Sequence, residues 1–229
     1  MRRVLLVEDN EALATGFARS LEAAGFSAAV AGGRQEAERA FEREAPHLVV
    51  LDLMLPDGDG FDVLRDLRAV GSEVPVLVLS ARGEEIDKLK GFRLGADDYV
   101  VKPVGVLEFI ARVEALMRRS GLRPPGKDDL TPVRFGAVQV DPGRRTAERH
   151  GKLVELTPRE FELLLCLVRH GGRVVSRETL LTEAWGYARP VATRTVDTHV
   201  FTLRAKIEED PADPRHILTV RKMGYRLVR

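Results

Sequence analysis

The chain has 229 residues, of which 44% are hydrophobic and 31% charged, and its formal net charge is +1. This length suits one large domain or two ordinary ones, and the composition is that of a globular protein with a buried core. No apolar run reaches the roughly 18 residues that a membrane-spanning helix needs. The start of the chain has only four apolar residues between Arg3 and Glu8, which is too few for the apolar region of a signal peptide. We therefore expect a cytoplasmic protein that does not insert into a membrane.

The single cysteine, Cys166, excludes an internal disulfide framework and a zinc site based on cysteines. It lies in the apolar stretch "FELLLCLV", which favours a packing role over that of a reactive thiol.

The two halves of the chain differ in charge. Residues 1–120 contain 16 Lys and Arg against 21 Asp and Glu, a net charge of −5. Residues 121–229 contain 20 against 14, a net charge of +6. An acidic half joined to a basic half favours two domains with different partners, with chance segregation as the alternative.

The first half alternates short apolar runs with segments of helical periodicity. The strand-like runs are Arg3–Val7, Ser27–Val30, His47–Leu51, Pro75–Leu79 and Asp98–Val101. Five strands alternating with five helices predict a doubly wound α/β fold, in which a parallel sheet is covered on both faces. Strands buried on both faces are typically continuous apolar runs, as these are.

Polar side chains follow the carboxyl ends of these predicted strands. Glu8 and Asp9 follow the first strand, Asp52 the third, Ser80 the fourth and Lys102 the fifth. Because ligands bind at this edge of an open parallel sheet, we expect the five side chains to converge. Three carboxylates in one pocket favour a hard cation such as Mg²⁺, and Ser80 and Lys102 would hold an anion such as phosphate. Singly, Glu8 and Asp9 fit helix caps equally well, and Asp52 fits a turn.

A stretch rich in Pro, Gly and charge follows, and we predict a linker at residues 120–132 between domains 1–119 and 133–229. After short strand candidates, the second domain shows helical patterns at Leu156–Gly172, Ser176–Gly186 and Arg194–Asp210 and a hairpin-like tail from His216. Thr157 begins a T-x-x-E capping box, and Ser176 is a candidate cap of the next helix.

The third of these helices has one apolar stripe, formed by Val196, Val200, Leu203 and Ile207. The opposite face carries Arg194, Thr198, Phe201 and Ala205, flanked by Thr195 and Thr202. A helix face with small polar side chains and a positively charged residue at its N-terminal end is suited to a DNA major groove, although most amphipathic helices do not bind DNA.

The motifs "LLVEDN", "VVLDLMLPDGDG", "VLVLSAR" and "GADDYVVKP" resemble the receiver domain of two-component response regulators across residues 1–119. The resemblance implies a five-stranded flavodoxin-like fold in which Asp52 accepts a phosphoryl group from a phosphohistidine of a sensor histidine kinase. It also implies a Mg²⁺ site and a phosphate-binding switch. The implied Mg²⁺ ligands are Glu8, Asp9, Asp52 and the backbone of Met54, and the implied switch residues are Ser80, Tyr99 and Lys102, with a cis peptide between Lys102 and Pro103.

The charged segments "DKLKGFRLGADDY" and "EFIARVEALMRR" resemble the face on which this subfamily dimerises. The resemblance implies ion pairs across a homodimer, Lys88–Glu108, Asp98–Arg112 and Asp97–Arg119. The alternative is that these charges are simply solvated, since exposed ion pairs contribute little individually.

The segments "LTPREFELL", "VVSRETLL", "AWG", "RTVDTHVFTLRAKI" and "ILTVRKMGYRL" resemble the winged-helix domain of OmpR/PhoB-type regulators. The resemblance implies an α+β winged helix-turn-helix domain that binds tandem half-sites in double-stranded DNA, and it allows a contact with RNA polymerase. It implies groove contacts by Arg194, Thr195 and His199, a phosphate contact by Arg204 and a minor-groove contact by Arg221.

Three positions of this domain depart from the family pattern. Phe201 and Thr202 stand where many members are basic, so we expect them to contribute to DNA recognition. Phe201 either contacts thymine methyl groups or sugar faces of the DNA, or packs against the loop "GYARPVATR", and the sequence does not distinguish these two interpretations. Lys222 stands in the wing where Gly is common, which adds a positive charge but places a side chain in a tight turn.

An aspartate nucleophile with Mg²⁺ and Lys also describes phosphatases of the haloacid dehalogenase type. Those enzymes have a second Asp two residues after the nucleophile, where this chain has Met54. We therefore expect a switch with slow self-dephosphorylation and not an enzyme. A DNA-binding regulator with a receiver locked in one state is disfavoured by the complete set of pocket residues.

Overall fold

The computed structural model describes residues 2–119, 131–187 and 194–229. The chain divides into two compact units, Met1–Gly121 and Leu122–Arg229. Most of the predicted linker lies outside the described residues. Within the described ranges, no helix is long and apolar enough to cross a bilayer.

The first unit alternates strands and helices along its whole length. In chain order they are β1 (Arg3–Val7), α1 (Glu11–Ala23), β2 (Ser27–Ala31), α2 (Arg34–Glu44), β3 (Leu48–Leu51), β4 (Met54–Leu55), β5 (Gly58–Asp59), α3 (Gly60–Ala69), β6 (Val76–Ser80), α4 (Glu85–Arg93), β7 (Asp98–Val101) and α5 (Val106–Arg119). Five of the strands form a parallel sheet in the order β2-β1-β3-β6-β7, which confirms the predicted doubly wound fold. The pattern did not predict the small hairpin of β4 and β5, because two-residue strands have no periodicity.

The sheet separates two apolar clusters. Leu5 and Val7 of β1 point into one cluster and Val4 and Leu6 into the other, as the alternation of side chains along a strand requires. The central strands β3 and β6 are buried at every residue. Asp52, which directly follows β3, and Ser80, the last residue of β6, are therefore held on a rigid support.

The second unit begins with four short strands, continues with three helices and ends in a hairpin. Its elements are β8 (Val133–Phe135), β9 (Val138–Asp141), β10 (Thr146–Arg149), β11 (Lys152–Val154), α6 (Pro158–Arg169), α7 (Arg177–Trp185), α8 (Thr195–Ile207), β12 (Ile217–Val220) and β13 (Gly224–Leu227). Strands β8 to β11 form an antiparallel sheet, and β12 and β13 pair as the wing. This is the predicted α+β winged-helix architecture.

Local signals set the helix ends in this unit. The capping box of Thr157 and Glu160 begins α6, and Ser176 caps α7, as predicted. Helix α8 ends at Ile207, so the predicted end at Asp210 was wrong. Its next residue, Glu208, is extended, and its buried carboxylate accepts hydrogen bonds of 2.7 to 3.2 Å from the backbone N–H groups that precede and begin β12.

Candidate functional site

Four strand ends of the first unit meet at one edge of the sheet. Leu51 of β3 lies beside Val7 of β1, and the Asp52 N–H donates to the Val7 carbonyl at 2.9 Å. On the other side, the Lys102 N–H donates to the Ser80 carbonyl at 2.9 Å. The strand register thus places the residues that directly follow β1, β3 and β7, together with Ser80 at the end of β6, at one edge of the sheet.

The pocket contains three carboxylates and one ammonium group. Oxygens of Glu8, Asp9 and Asp52 lie within 4.8 Å of one another, and Glu8 and Asp52 are only 3% and 5% exposed. The Lys102 Nζ lies 2.5 Å from Glu8 Oε2 and 2.6 Å from Asp52 Oδ2. Burial lowers the pKa of Lys102, but the hydrogen bonds to Asp52 and Glu8 outweigh burial and raise it overall. The ammonium group therefore stays charged and offsets part of the repulsion among the carboxylates.

Asp52 is oriented from both sides. Its Oδ1 accepts hydrogen bonds from the N–H groups of Leu53, at 2.6 Å, and Met54, at 3.1 Å, while Oδ2 faces Lys102. Gly60, which sequence reasoning missed, supports this arrangement at the start of α3. A Cβ at Gly60 would lie 2.3 Å from the Asp52 carbonyl oxygen, so the helix approaches the Asp52 backbone only because the side chain is absent. The signal was present in "DGDG", although the pattern alone does not say which glycine makes a close approach.

Arg82 is a second residue that the sequence analysis missed. Its N–H donates to the Oγ of the fully buried Ser80 at 3.4 Å, and its carbonyl accepts from the hydroxyl of Tyr99 at 2.8 Å. Its guanidinium lies 3.2 Å from Asp59 Oδ2 on the β4–β5 hairpin. Burial, with a smaller contribution from Asp87, raises the pKa of Tyr99, so its hydroxyl stays protonated as a donor. Arg82 thus connects Ser80, Tyr99 and the loop after Asp52.

The donor set of this pocket fits a hard divalent cation. Carboxylate oxygens are the ligands that Mg²⁺ prefers, and the exposed Asp9 leaves one side of the pocket open to water. The peptide between Lys102 and Pro103 is cis, as expected. The contact from Met54 to Asp52 is made by its N–H, and the role of the Met54 carbonyl as a ligand stays a prediction.

Four of the six residues predicted for a dimer face, Asp97, Asp98, Glu108 and Arg112, are paired within the chain. Arg112 lies 2.6 Å from Asp98 and 2.7 Å from Glu108, and Arg112 and Asp98 are buried. The buried Asp97 accepts from the Val76 N–H at 2.8 Å and lies 3.1 Å from Arg68. Lys88 is half-buried on α4, and the side chain of Arg119 lies outside the described part of the structure. Pairing across a dimer stays a prediction and requires these ion pairs to change partners.

In the second unit, the outer face of α8 is the one that the angular count predicted. Arg194, Phe201 and Ala205 are exposed, and half of the Phe201 side chain is accessible. Thr198 is half-buried, and its hydroxyl donates to the Arg194 carbonyl at 3.0 Å. Part of the loop that was the alternative partner of Phe201, residues 188–193, lies outside the described residues.

The structure corrects the assignment of three other α8 residues to DNA contacts. Thr195, His199 and Thr202 are at most 3% exposed. The His199 ring packs edge-on against Trp185 of α7, with 5.0 Å between ring centres. The Thr202 hydroxyl donates to the His199 carbonyl at 3.1 Å. The four-residue apolar stripe underestimated the buried arc, because α7 covers a neighbouring strip of α8.

Arg204, which was predicted to contact a DNA phosphate, forms hydrogen bonds within the winged-helix unit. Its guanidinium donates to the Ile217 carbonyl at 2.5 and 2.9 Å and to Thr219 Oγ1 at 2.9 Å. Its guanidinium carbon also lies 5.8 Å from the centre of the Tyr225 ring. Arg204 therefore attaches α8 to the wing.

A polar cluster completes this attachment. Asp197 of α8 accepts hydrogen bonds from the Tyr225 hydroxyl and, at 2.7 Å, from Arg177 of α7. The Arg177 guanidinium carbon lies 4.9 Å from the Tyr225 ring centre. We call Arg177, Asp197, Arg204 and Tyr225 the wing cluster.

The tip of the wing exposes Arg221, Lys222 and Met223. Lys222 has a positive φ of 62°, as expected for a position where Gly is common.

Comparison with known proteins places both units in described families. Residues 4–114 match the response regulator receiver domain, and residues 151–227 match the family described as transcriptional regulatory protein, C terminal. The chain is 45% identical to the sensory transduction protein RegX3 of Mycolicibacterium smegmatis over 99% of both chains. It is 41% identical to the alkaline phosphatase synthesis transcriptional regulatory protein PhoP of Bacillus subtilis, covering 99% of this chain and 96% of that one.

The structure is also similar to that of the response regulator DrrB of Thermotoga maritima, described as an OmpR/PhoB homologue. The TM-score is 0.53 and the identity 33%, and the match covers 100% of both chains. With a receiver domain and a C-terminal transcriptional regulatory domain in one chain, and full-length relatives above 40% identity, this chain belongs to the OmpR/PhoB family of two-component response regulators.

Proposed function

We propose that the protein is a phosphorylation-dependent DNA-binding transcription regulator whose phosphoacceptor is Asp52. The observation that carries the proposal is the pocket itself, in which Asp52 is fixed by two backbone N–H groups and Lys102 beside Glu8 and Asp9. Phosphoryl transfer depends mainly on positioning and charge neutralisation, and these residues provide both. A sensor histidine kinase supplies the phosphoryl group.

Mg²⁺ is the cation that this pocket would hold, and Glu8, Asp9, Asp52 and the Met54 carbonyl would be its ligands. When bound, it neutralises negative charge on the carboxylates and on the incoming phosphoryl group. A carboxylate oxygen of Asp52 forms the new bond to phosphorus as the bond to the histidine nitrogen breaks. Lys102 stays within reach of both the carboxylate and the added phosphoryl oxygens.

The added phosphate carries about 1.5 to 2 negative charges and competes for Lys102 and for the Ser80 hydroxyl. Movement of Ser80 disturbs its bond to Arg82, whose carbonyl also holds Tyr99. Tyr99 lies on β7 next to Asp98, which is paired with Arg112. Phosphorylation therefore favours the exchange of ion pairs that a receiver dimer requires.

The dimer presents two winged-helix units to tandem DNA half-sites. Arg194, Thr198 and Phe201 on the exposed face of α8 contact the major groove, and Arg221 in the wing contacts the minor groove. RNA polymerase is a further partner of the DNA-bound dimer.

The experiment is labelling with a small-molecule phosphodonor and Mg²⁺, followed by sedimentation and DNA binding. Asp52→Asn abolishes labelling and the phosphodonor-dependent gain in dimerisation, because the amide has no anionic oxygen to attack phosphorus. Asp57→Asn is the matched control, since Asp57 lies in the same loop but accepts from the N–H groups of Arg34 and Gln35 at the start of α2. Equal labelling of Asp52→Asn and the unaltered chain contradicts the assignment, and dimerisation that ignores phosphodonor contradicts the switch.

Phe201 is tested separately on a panel of DNA sites that differ in single thymines. Phe201→Ala loses discrimination at one or more thymine positions if the ring contacts their methyl groups. Leu153→Ala, at an apolar position on β11 that is more exposed than Phe201, is the control. A uniform loss of affinity across the panel contradicts base recognition by Phe201.

A further inference from the structure

A second cluster of metal-binding side chains lies in the winged-helix unit, away from the receiver pocket. Ligand atoms of Cys166, His170 and Glu183 lie within 4.8 Å of one another. The Glu183 Oε2 is 3.2 Å from Cys166 Sγ and 2.9 Å from His170 Nε2. The family resemblance assigns no role to these three residues.

Helix geometry brings the three side chains together. Cys166 and His170 are four residues apart at the end of α6, so they share one face. Glu183 is in the last turn of α7, which packs against α6. The cluster also lies at the carboxyl end of a twelve-residue helix, where the backbone carbonyls favour a positive charge.

We propose that Cys166, His170 and Glu183 form a site for a thiophilic divalent cation of the zinc class that links α6 to α7. A thiolate, an imidazole and a carboxylate are the ligand types of zinc, whereas Mg²⁺ prefers oxygen alone. In a tetrahedral zinc site, neighbouring ligand atoms are roughly 3.3 to 3.6 Å apart, as zinc–ligand distances of about 2.0 to 2.3 Å require. The observed separations of 3.2 and 2.9 Å need to increase by only a few tenths of an ångström.

Burial leaves one side of the site open. Cys166 is buried, whereas the side chains of His170 and Glu183 are 23% and 44% exposed. A cation enters from the exposed side, and water completes its coordination there. Binding replaces the thiol proton of Cys166, which is released to solvent. The single cysteine excludes a site made of several cysteines, but the structure supplies the other ligands from His and Glu.

The expected consequence is a stiffer support for the recognition helix. Trp185, two residues after Glu183, packs against His199 of α8. A cation that fixes α7 to α6 therefore stabilises the helix pair that presents the exposed face of α8.

Cobalt titration of the full-length reduced protein tests the proposal. Excess Mg²⁺ is present so that the receiver carboxylates do not compete for Co²⁺. We expect one equivalent of Co²⁺ to give a thiolate-to-cobalt charge-transfer band, which only Cys166 can produce because it is the only cysteine in the chain. Zn²⁺ then removes the band by displacing Co²⁺.

Variants identify the ligands. Cys166→Ser abolishes the band, and His170→Gln and Glu183→Gln each weaken binding about 100-fold or more. Glu178→Gln, an exposed acid in the first turn of α7, leaves binding unchanged. Absence of the band in the unaltered chain, or an unchanged affinity in His170→Gln and Glu183→Gln, overturns the proposal.

Unfolding gives a second measurement that does not depend on cobalt spectra. Trp185 is the only tryptophan, so its fluorescence reports on the winged-helix unit. Zn²⁺ raises the thermal midpoint of the unaltered chain and of Glu178→Gln by about 5 °C or more, and it leaves the midpoint of Cys166→Ser at its own metal-free value. An equal rise in Cys166→Ser also overturns the proposal.

Discussion

The receiver pocket takes its charged side chains from the ends of strands, whereas the wing cluster takes its side chains from the interior of α8, the first residue of α7 and the wing hairpin. In the pocket, Glu8, Asp52 and Lys102 directly follow three buried strands. In the wing cluster, Asp197 and Arg204 lie within α8, and Tyr225 lies within β13. The residue at the carboxyl end of a strand in a parallel sheet lies beside the ends of the neighbouring strands. The neighbours of a residue within a helix depend instead on how the helix packs against other elements.

The two regions also use charge differently. The pocket concentrates negative charge around one ammonium group and is suited to bind a cation and a phosphate. The wing cluster places two guanidinium groups around Asp197 and the Tyr225 ring, which holds protein elements together. Substitutions in the pocket should therefore respond to Mg²⁺, and substitutions in the wing cluster should not.

The largest expected effect comes from Lys102→Met. It leaves the buried carboxylates of Glu8 and Asp52 without their ammonium partner, which costs about 3 kcal/mol of unfolding free energy at neutral pH. Millimolar Mg²⁺ restores most of the loss. Urea unfolding followed by circular dichroism measures both values, with Lys88→Met as the control. Equal stability of Lys102→Met and the control without Mg²⁺ would contradict the role of Lys102.

Gly60→Ala should cost about 2 kcal/mol and lower the rate of labelling by phosphodonor. The added Cβ meets the Asp52 carbonyl at 2.3 Å and the Leu53 Cα at 2.7 Å, so α3 must shift away from the phosphoacceptor. Gly16→Ala is the matched control, because a Cβ there meets nothing within 4 Å in the middle of α1. We expect that control to be neutral or slightly stabilising. Equal labelling rates for the two variants would show that the loop tolerates the shift.

Tyr225→Phe should destabilise the winged-helix unit by about 1 kcal/mol at neutral pH, through loss of the bond to Asp197. Burial, then the bond to Asp197, raises the pKa of Tyr225 from 10.0 to about 12. The stability that depends on the neutral hydroxyl is complete below pH 10 and is lost as the pH rises through about 12. Trp185 fluorescence in urea across this pH range measures the effect.

In Tyr225→Phe, the free energy of unfolding of the winged-helix unit no longer falls as the pH rises through about 12. Tyr99→Phe in the receiver leaves the unfolding transition reported by Trp185 unchanged. An identical alkaline profile for Tyr225→Phe and the unaltered chain would contradict the assignment. Millimolar Mg²⁺ should have no effect on either profile of the winged-helix unit.

The smallest expected effect is a gain from Lys222→Gly. The φ of 62° at Lys222 disfavours a side chain, so glycine stabilises the wing by about 1 kcal/mol or less. Loss of the positive charge weakens DNA binding and its dependence on salt. Lys222→Ala separates the two effects, because alanine removes the positive charge but still has a Cβ, which disfavours the positive φ at this position. A wing no more stable with glycine than with alanine would show that the turn carries no such cost.

The sequence by itself determined the fold class, the five strands of the receiver sheet, the helix caps Thr157 and Ser176, and the convergence of Glu8, Asp9, Asp52 and Lys102. These features follow from signals within a few residues, namely apolar runs, capping residues and the polar side chains that come next. Parallel strands align their carboxyl ends at one edge, so a linear pattern is enough to predict which side chains meet.

Only the tertiary structure decided the rest. It showed that α7 covers His199, that Glu208 ends α8 to hold the start of β12, and that Arg82 and Gly60 support the phosphoacceptor pocket. It also brought Glu183 to Cys166 and His170 from a different helix. Each of these contacts joins residues whose relative position depends on how separate elements pack, and no local pattern in the sequence records that packing.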